Sequence, residues 1–358
     1  MITIKFNNNN THTYNSFEEI LQLDNYNDII YIDCSNNNLS SLPELPNSLQ
    51  HLSCEYNNLS SLPDLPNSLT HLWCYNNSLS SLPDLPNSLI LLECYNNSLS
   101  NLPKLPNSLI ELYCQYNIIS NLPELPNLLK YLSCSANNLS ILPELPNSLI
   151  ELNCADNNLF CLPELPNSLE KLWCGYNNLS SLPEIPNSLT HMWCNNNCLS
   201  SLPKLPNLLT DLNCGFNNLS SLPELPHSLN ILFCNENNLT SLPRLPNSLQ
   251  NIWCTNNKIS NLPQLPNSLK YLFCVHNSLS SLPDIPNSSC VYRYRYNPIH
   301  TYIKKYFDGK HQQYFDYQRQ MKRIFANKIG NWYLDCKYNP KYLYCRNRLM
   351  KEYDELYN

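Results

Sequence analysis

No apolar run in this 358-residue chain approaches the 18 or more residues that a membrane-spanning helix requires. Its opening, "MITIKFNNNNTHTYNSFEEI", also lacks the basic stretch and apolar core of a secretory signal. These two absences lead to the expectation of an intracellular protein with no membrane association. Its 18 cysteines would then stay reduced, and the Asn-Leu-Ser triplets at Asn38, Asn58 and Asn138 would stay unglycosylated. Glycine is scarce, 4 residues against 28 prolines, so the breaks in the chain fall mainly to proline. Charged residues make up only 14% of the chain and are unevenly placed. Residues 1–290 carry 8 Lys and Arg against 22 Asp and Glu, whereas residues 291–358 carry 14 against 6. An acidic body argues against nucleic-acid binding by that part of the chain and leaves only the basic tail for any such contact.

What is present in abundance is a repeat. A cysteine recurs every 20 residues from Cys34 to Cys274, which accounts for thirteen of the 18. Around Cys54 the frame reads Leu49, Leu52, Cys54, Asn57, Leu59, Leu62, Pro63, Leu65 and Pro66. In "HLWCY" the alternation places His71, Trp73 and Tyr75 on one face and Leu72 and Cys74 on the other, the pattern of a short strand with one buried face. A unit this short cannot bury its own leucines, so successive units must stack with their strands in parallel. At about 4.8 Å per strand, thirteen units trace an arc of roughly 60 Å. Asn77 and its equivalents sit where the chain leaves the strand, and their amides can satisfy backbone groups that the turn leaves unpaired. Pro83 and Pro86 remove two donors and exclude an ordinary helix on the way back. The return segment should therefore be extended or polyproline-like, with Leu82 and Leu85 facing inward. The cysteines fall on the inward side and read as small buried hydrophobes. A column with one sulfur per strand does not converge tetrahedrally, so no metal and no cofactor is expected there.

This frame resembles the leucine-rich repeat, L-x-x-L-x-L-x-x-N/C-x-L, with cysteine in one leucine slot. The 20-residue length and the "LPELP" linker are similar to the short repeats of type-III-secreted bacterial effectors. The Asn- and Tyr-rich wording is similar to that of leucine-rich repeat proteins of giant amoeba-infecting, mimivirus-like viruses. The resemblance covers about residues 29–290. It implies a leucine-rich repeat solenoid of the α/β superfamily, with a parallel β-sheet on the concave face, an extended convex face and small helical caps at both ends. It also implies a non-catalytic protein-binding role, viral or effector-like and acting on host factors, in the host cytoplasm if viral; a ubiquitin-ligase-type effector with a tail cysteine and a structural or self-assembling component are the alternatives. Effectors of this kind often carry a ubiquitin ligase domain with a Cys-x-Asp nucleophile. Here the tail reads Cys336-Lys337-Tyr338 and Cys345-Arg346-Asn347, so that motif is absent and no catalytic residue is assigned.

The expected organisation is an N-terminal cap over residues 1–28, thirteen repeats over 29–290, a degenerate repeat over 291–299 and a basic, Tyr-rich helical cap or tail over 300–358. In the cap, "ITIKF" reads as a strand and "SFEEILQL" as a short helix whose Ser16 and Glu19 fit a capping box. In the tail, Ile303, Tyr306 and Phe307 fall at helical spacing, as do Phe315, Met321, Ile324, Phe325 and Ile329. Asp308-Gly309 marks a break, and a final helix is expected over about 340–357. The slot before the frame cysteine is free of the repeat's demands, yet seven of its thirteen residues are aromatic: Trp73, Tyr113, Trp173, Trp193, Phe233, Trp253 and Phe273. With Tyr271, and with His191, Ile231, Val275 and Phe216 nearby, they form a candidate concave face for a protein partner of unknown identity. Burial against the tail or against a second copy, and neutral drift of copied repeats, are the competing readings. His51 and His71, on adjacent strands, offer two imidazoles to a metal without further ligands. The residues between the prolines, such as Glu44, Asp64 and Glu184, read as a solvated acidic edge.

Overall fold

In the computed structural model, which describes residues 1–8, 10–284 and 290–338, the described strands form one sheet of sixteen. β1 (Ile2–Phe6) and β2 (Thr11–Tyr14) pair antiparallel as an N-terminal hairpin, and α1 (Phe17–Leu21) follows. β1 also lies antiparallel to β3 (Ile29–Asp33), with Ile4 opposite Ile32. From β3 onward every neighbour is parallel. The three-residue strands β4 (His51–Ser53) to β15 (Tyr271–Phe273) start 20 residues apart, and β16 (Val291–Arg293) ends the sheet. The register is strictly repetitive, so that Leu72 stands beside Leu52 and Leu92, and Trp173 beside Trp193.

The stack follows from what each slot buries. Leu69, Leu72, Cys74 and Leu79 are fully buried, as are their equivalents in the interior units, and form one continuous core along the solenoid, with Leu39 of the first unit partly buried against it. Each asparagine after the strand closes the turn between repeats. Asn157 Nδ2 donates to the carbonyls of Cys134, Cys154 and Ala155 at 3.0, 3.2 and 3.2 Å, while its Oδ1 accepts from Leu139 N–H at 3.0 Å. Every Cys carbonyl inside the stack is thereby held by two asparagines, its own and the next repeat's, as Asn177 on Cys154 shows. Among the described residues the return segments carry no helix; Leu82 is buried and Leu85 partly buried against the core.

Two features of the repeat were not read from the sequence. The residue before each ladder asparagine is left-handed, with φ of +50 to +57° from Tyr56 through Ala136 and Tyr176 to Tyr296. A non-glycine residue in that region costs about 1–2 kcal/mol. Here it is held because its N–H donates to the next repeat, as Tyr176 does to the Asn195 carbonyl at 2.8 Å. The scarcity of glycine therefore does not mean that the chain avoids left-handed turns. The second feature is a serine ladder. Ser188 Oγ donates to the Leu169 carbonyl at 2.6 Å, and Ser68, Ser88 and Ser228 do the same one repeat back. Leu128 and Leu208 occupy this slot in two units and are more than half exposed. Leu208→Ser is expected to gain that bond to the Leu189 carbonyl and raise stability by about 0.5–1.5 kcal/mol, measurable as a higher midpoint in urea.

The ends differ in detail from expectation. The capping box at α1 is not closed: the Ser16 side chain makes no cap bond, and Glu19 Oε2 accepts from Asn15 N–H at 3.4 Å, one residue further back. At the other end Tyr294 fills the cysteine slot and is buried, and Asn297 continues the ladder onto the Cys274 and Tyr294 carbonyls at 2.9 Å each. α2 (Pro298–Tyr306) starts with its proline in the first turn, where no N–H is needed, and Ile299 and Ile303 close the core. The break at Asp308-Gly309 is left-handed at both residues, and α3 (His311–Tyr338) follows. Over residues 312–330 of that helix, only Tyr314 and Phe315 are buried, whereas Ile324, Phe325 and Ile329 are exposed. Asn339, Pro340, Cys345 and the expected final helix lie outside the described residues. No described helix is long and apolar enough to cross a membrane.

Candidate protein-binding face

The outward strand positions divide into two regions of different chemistry. Toward the C-terminal end, Phe233, Trp253 and Phe273 pack edge to face in a continuous row, with centroid separations of 4.8 and 5.2 Å. Tyr271 stacks beside Phe273 at 6.4 Å. Edge-to-face contact satisfies the ring quadrupoles while leaving faces open. Trp193 and Trp253 remain 43% and 44% exposed, unusual for the largest apolar side chain. Trp173 and Trp193 flank a depression of about 500 Å³ floored by Ala155, Gly175 and Asn195. Gly175 packs closely against Asn195: a Cβ there would come within 2.8 Å of Asn195 Oδ1 and 3.0 Å of its carbonyl oxygen. This hollow escaped the sequence reading. Its signal was the pair of small residues Ala155 and Gly175, one position after the frame cysteine in successive repeats.

Toward the N-terminal end the face is polar. His51 and His71 stack at 4.5 Å with planes 19° apart, and Trp73 continues the stack 5.5 Å from His71. Face-to-face imidazoles direct their nitrogen lone pairs within their own planes, not toward a shared point, and His71 Nδ1 lies 2.8 Å from Thr70 Oγ1. The pair is an aromatic step, and among the described residues no group of three or more His, Cys, Asp or Glu could hold a metal. Burial holds both histidines below the usual imidazole value, which keeps them neutral. Burial pushes the Glu93 carboxyl up, against a hydrogen bond from the Trp73 side chain. Tyr113 donates to Glu111 at 3.1 Å. Phe216, grouped with the aromatic face in the sequence, lies one residue further along in the left-handed turn, half exposed.

The frame cysteines present no chemistry on this face. The thirteen cysteines of the column are free thiols and buried, Cys161 and Cys198 are free and exposed, and Cys290 is free and half-buried. Burial pushes the thiols of Cys94, Cys134 and Cys194 up to about 12, which keeps them protonated and unreactive. Of the tail cysteines, only the place of Cys336 in α3 is described.

A parallel sheet, a leucine and cysteine core, an asparagine ladder and proline-bounded return segments together define a leucine-rich repeat solenoid. The chain belongs to the leucine-rich repeat proteins, in the 20-residue form. It is similar to YopM from Yersinia enterocolitica, with 40% identity and a TM-score of 0.68 over 75% of this chain and 65% of that one. Against YopM from Yersinia pestis the identity is 36% and the TM-score 0.67, over 75% of this chain and 84% of that one. A leucine-rich repeat protein of Leptospira interrogans shares the fold at 24% identity, with a TM-score of 0.58 over 82% of this chain and 97% of that one. No family model and no curated protein matches the sequence.

Proposed function

We propose that this protein is a non-catalytic scaffold that binds a protein partner through the aromatic part of its concave face, acting as an effector-like protein, of bacterial or viral type, on host factors. The observation that carries this reading is the open row Phe233, Trp253 and Phe273 together with the half-exposed Trp193 beside a floored hollow. Rigid aromatic side chains of this kind supply contact area at little entropic cost and dominate interface energetics. The similarity to YopM supports it, since the Yersinia pestis protein is a leucine-rich effector protein. The N-terminal hairpin with α1, and α2 with the start of α3, serve as caps in this reading.

The test is a variant carrying Trp173→Ala, Trp193→Ala and Trp253→Ala, used as bait in host-cell extract beside the parent protein. Retained thermal stability with about a hundred-fold or greater loss of captured partner is expected, since each hot-spot truncation costs about 2 kcal/mol or more. Equal capture by the folded variant would sink the reading.

A further inference from the structure

The division of the concave face into two regions says what kind of segment it fits. We propose that the face takes an extended segment of the partner that is lysine- and arginine-rich where it crosses residues 33–155 and apolar where it crosses residues 173–273. This rests on the protein-binding reading above and adds the partner's chemistry. Asp33, Glu55, Glu93, Glu111 and Glu151 occupy outward positions in the first region, where no outward strand position from Tyr31 to Ala155 holds a lysine or arginine. Aromatic rings are interleaved with them: Tyr31, Trp73, Tyr75, Tyr95, Tyr113 and Tyr131. Carboxylates between ring faces suit ammonium and guanidinium groups, by charge and by cation–π attraction.

The protein's own lysines show both modes at the two limits of this strip. Lys5 Nζ sits 4.5 Å over the Tyr31 ring, and Lys171 Nζ lies 2.6 Å from Glu151 Oε1. Between these limits, among the described residues, Asp33, Glu55, Glu93 and Glu111 have no ion-pair partner. Their bonds come from Ser35, Ser53, the Trp73 side chain and Tyr113, none of which supplies positive charge. The second region reverses this character. Its one outward acid, Asp211, faces His191 at 3.5 Å, and the rest is Trp, Phe, Tyr, Ile, Val, Asn, Thr and Gly apart from Lys171 at its border. The first region spans six strand spacings, about 29 Å, and the second five, about 24 Å, which match about nine and about seven residues of extended chain.

The probe is a fluorescein-labelled peptide of about sixteen residues. Its first half alternates lysine or arginine with serine, and its second half alternates leucine or tryptophan with serine. Titrated with the full-length protein, its anisotropy should report saturable binding that weakens with salt. The variant Glu55→Gln, Glu93→Gln, Glu111→Gln should keep its melting temperature, lose at least about ten-fold in affinity and lose most of the salt dependence. Equal affinity in that variant, or equal binding of a peptide whose basic half is made acidic, would overturn the proposal. So would a full-length dimer that the same three changes dissociate, which would assign the face to a second copy. If the peptide fails to bind while the triple tryptophan variant still loses its host partner, the scaffold reading stands and this inference falls.

Discussion

Above about pH 10 the solenoid is expected to unfold cooperatively, with thiolate absorbance rising together with the loss of its circular dichroism. Thirteen buried frame cysteines share one column, and burial pushes Cys94, Cys134 and Cys194 up to about 12 and Cys74, Cys154 and Cys234 well above the ordinary value. In the unfolded chain the same thiols ionise near 8.5. The folded state therefore holds protons that the unfolded state releases, so this stabilisation is complete below about pH 8 and is lost as pH rises through 9 toward 12. One pH unit above the unfolded value each thiol has lost about 1.4 kcal/mol, and thirteen together roughly 18 kcal/mol. That is comparable with the whole stability of a chain of this size at roughly 0.05 kcal/mol per residue. Replacing interior frame cysteines by alanine should move the midpoint to higher pH in proportion to their number. In the folded protein at neutral pH a thiol reagent should modify the exposed Cys161 and Cys198 and leave the column untouched. A solenoid still folded at about pH 11.5 would show that the column does not couple to folding in this way.

Asn157→Ala is expected to destabilise the solenoid by about 2–4 kcal/mol, and Asn157→Asp by more. The alanine leaves the buried N–H of Leu139 without its acceptor and takes one of two donors from each of the Cys134 and Cys154 carbonyls. An orphaned buried polar group costs about 1–3 kcal/mol. The aspartate keeps the acceptor for Leu139 but sets a carboxylate against three carbonyl oxygens where an amide had donated, so charge adds repulsion to the lost bonds. Because repeats are coupled chiefly to their neighbours, the damage should divide one transition in urea into two, for the stretches on either side. A single unchanged transition for Asn157→Asp would mean that the ladder is redundant.

The core and the ladder were legible in the sequence because each is a property of a slot that recurs at the same offset. Alternation over His71 to Tyr75 puts Leu72 and Cys74 inside, and both are fully buried. The side groups at Trp73 show where such reasoning stops. Its direction could be read, but the His51 ring from one neighbouring strand and the Glu93 carboxylate from the other meet it through how those strands align. The failed capping box has the same origin. Ser16 and Glu19 have the right spacing, yet the Glu19 carboxylate meets Asn15 instead. In the tail, helical spacing grouped Phe315 with Ile324, Phe325 and Ile329. Only Phe315 is buried, because α3 is exposed over residues 322–330.

By itself, then, the sequence determined the period, the parallel stack, the inward column of cysteines and the outward row of aromatics. Periodicity of two along a strand and of 20 along the chain leaves each side chain only one face to take. Only the tertiary structure decided which side chains meet across those strands: the edge-to-face row ending at Phe273, the hollow floored by Gly175, and the carboxylate strip closed at its ends by Lys5 and Lys171. Those contacts join residues 20 or more apart, and their geometry depends on strand register and side-chain rotamer, which no local pattern encodes.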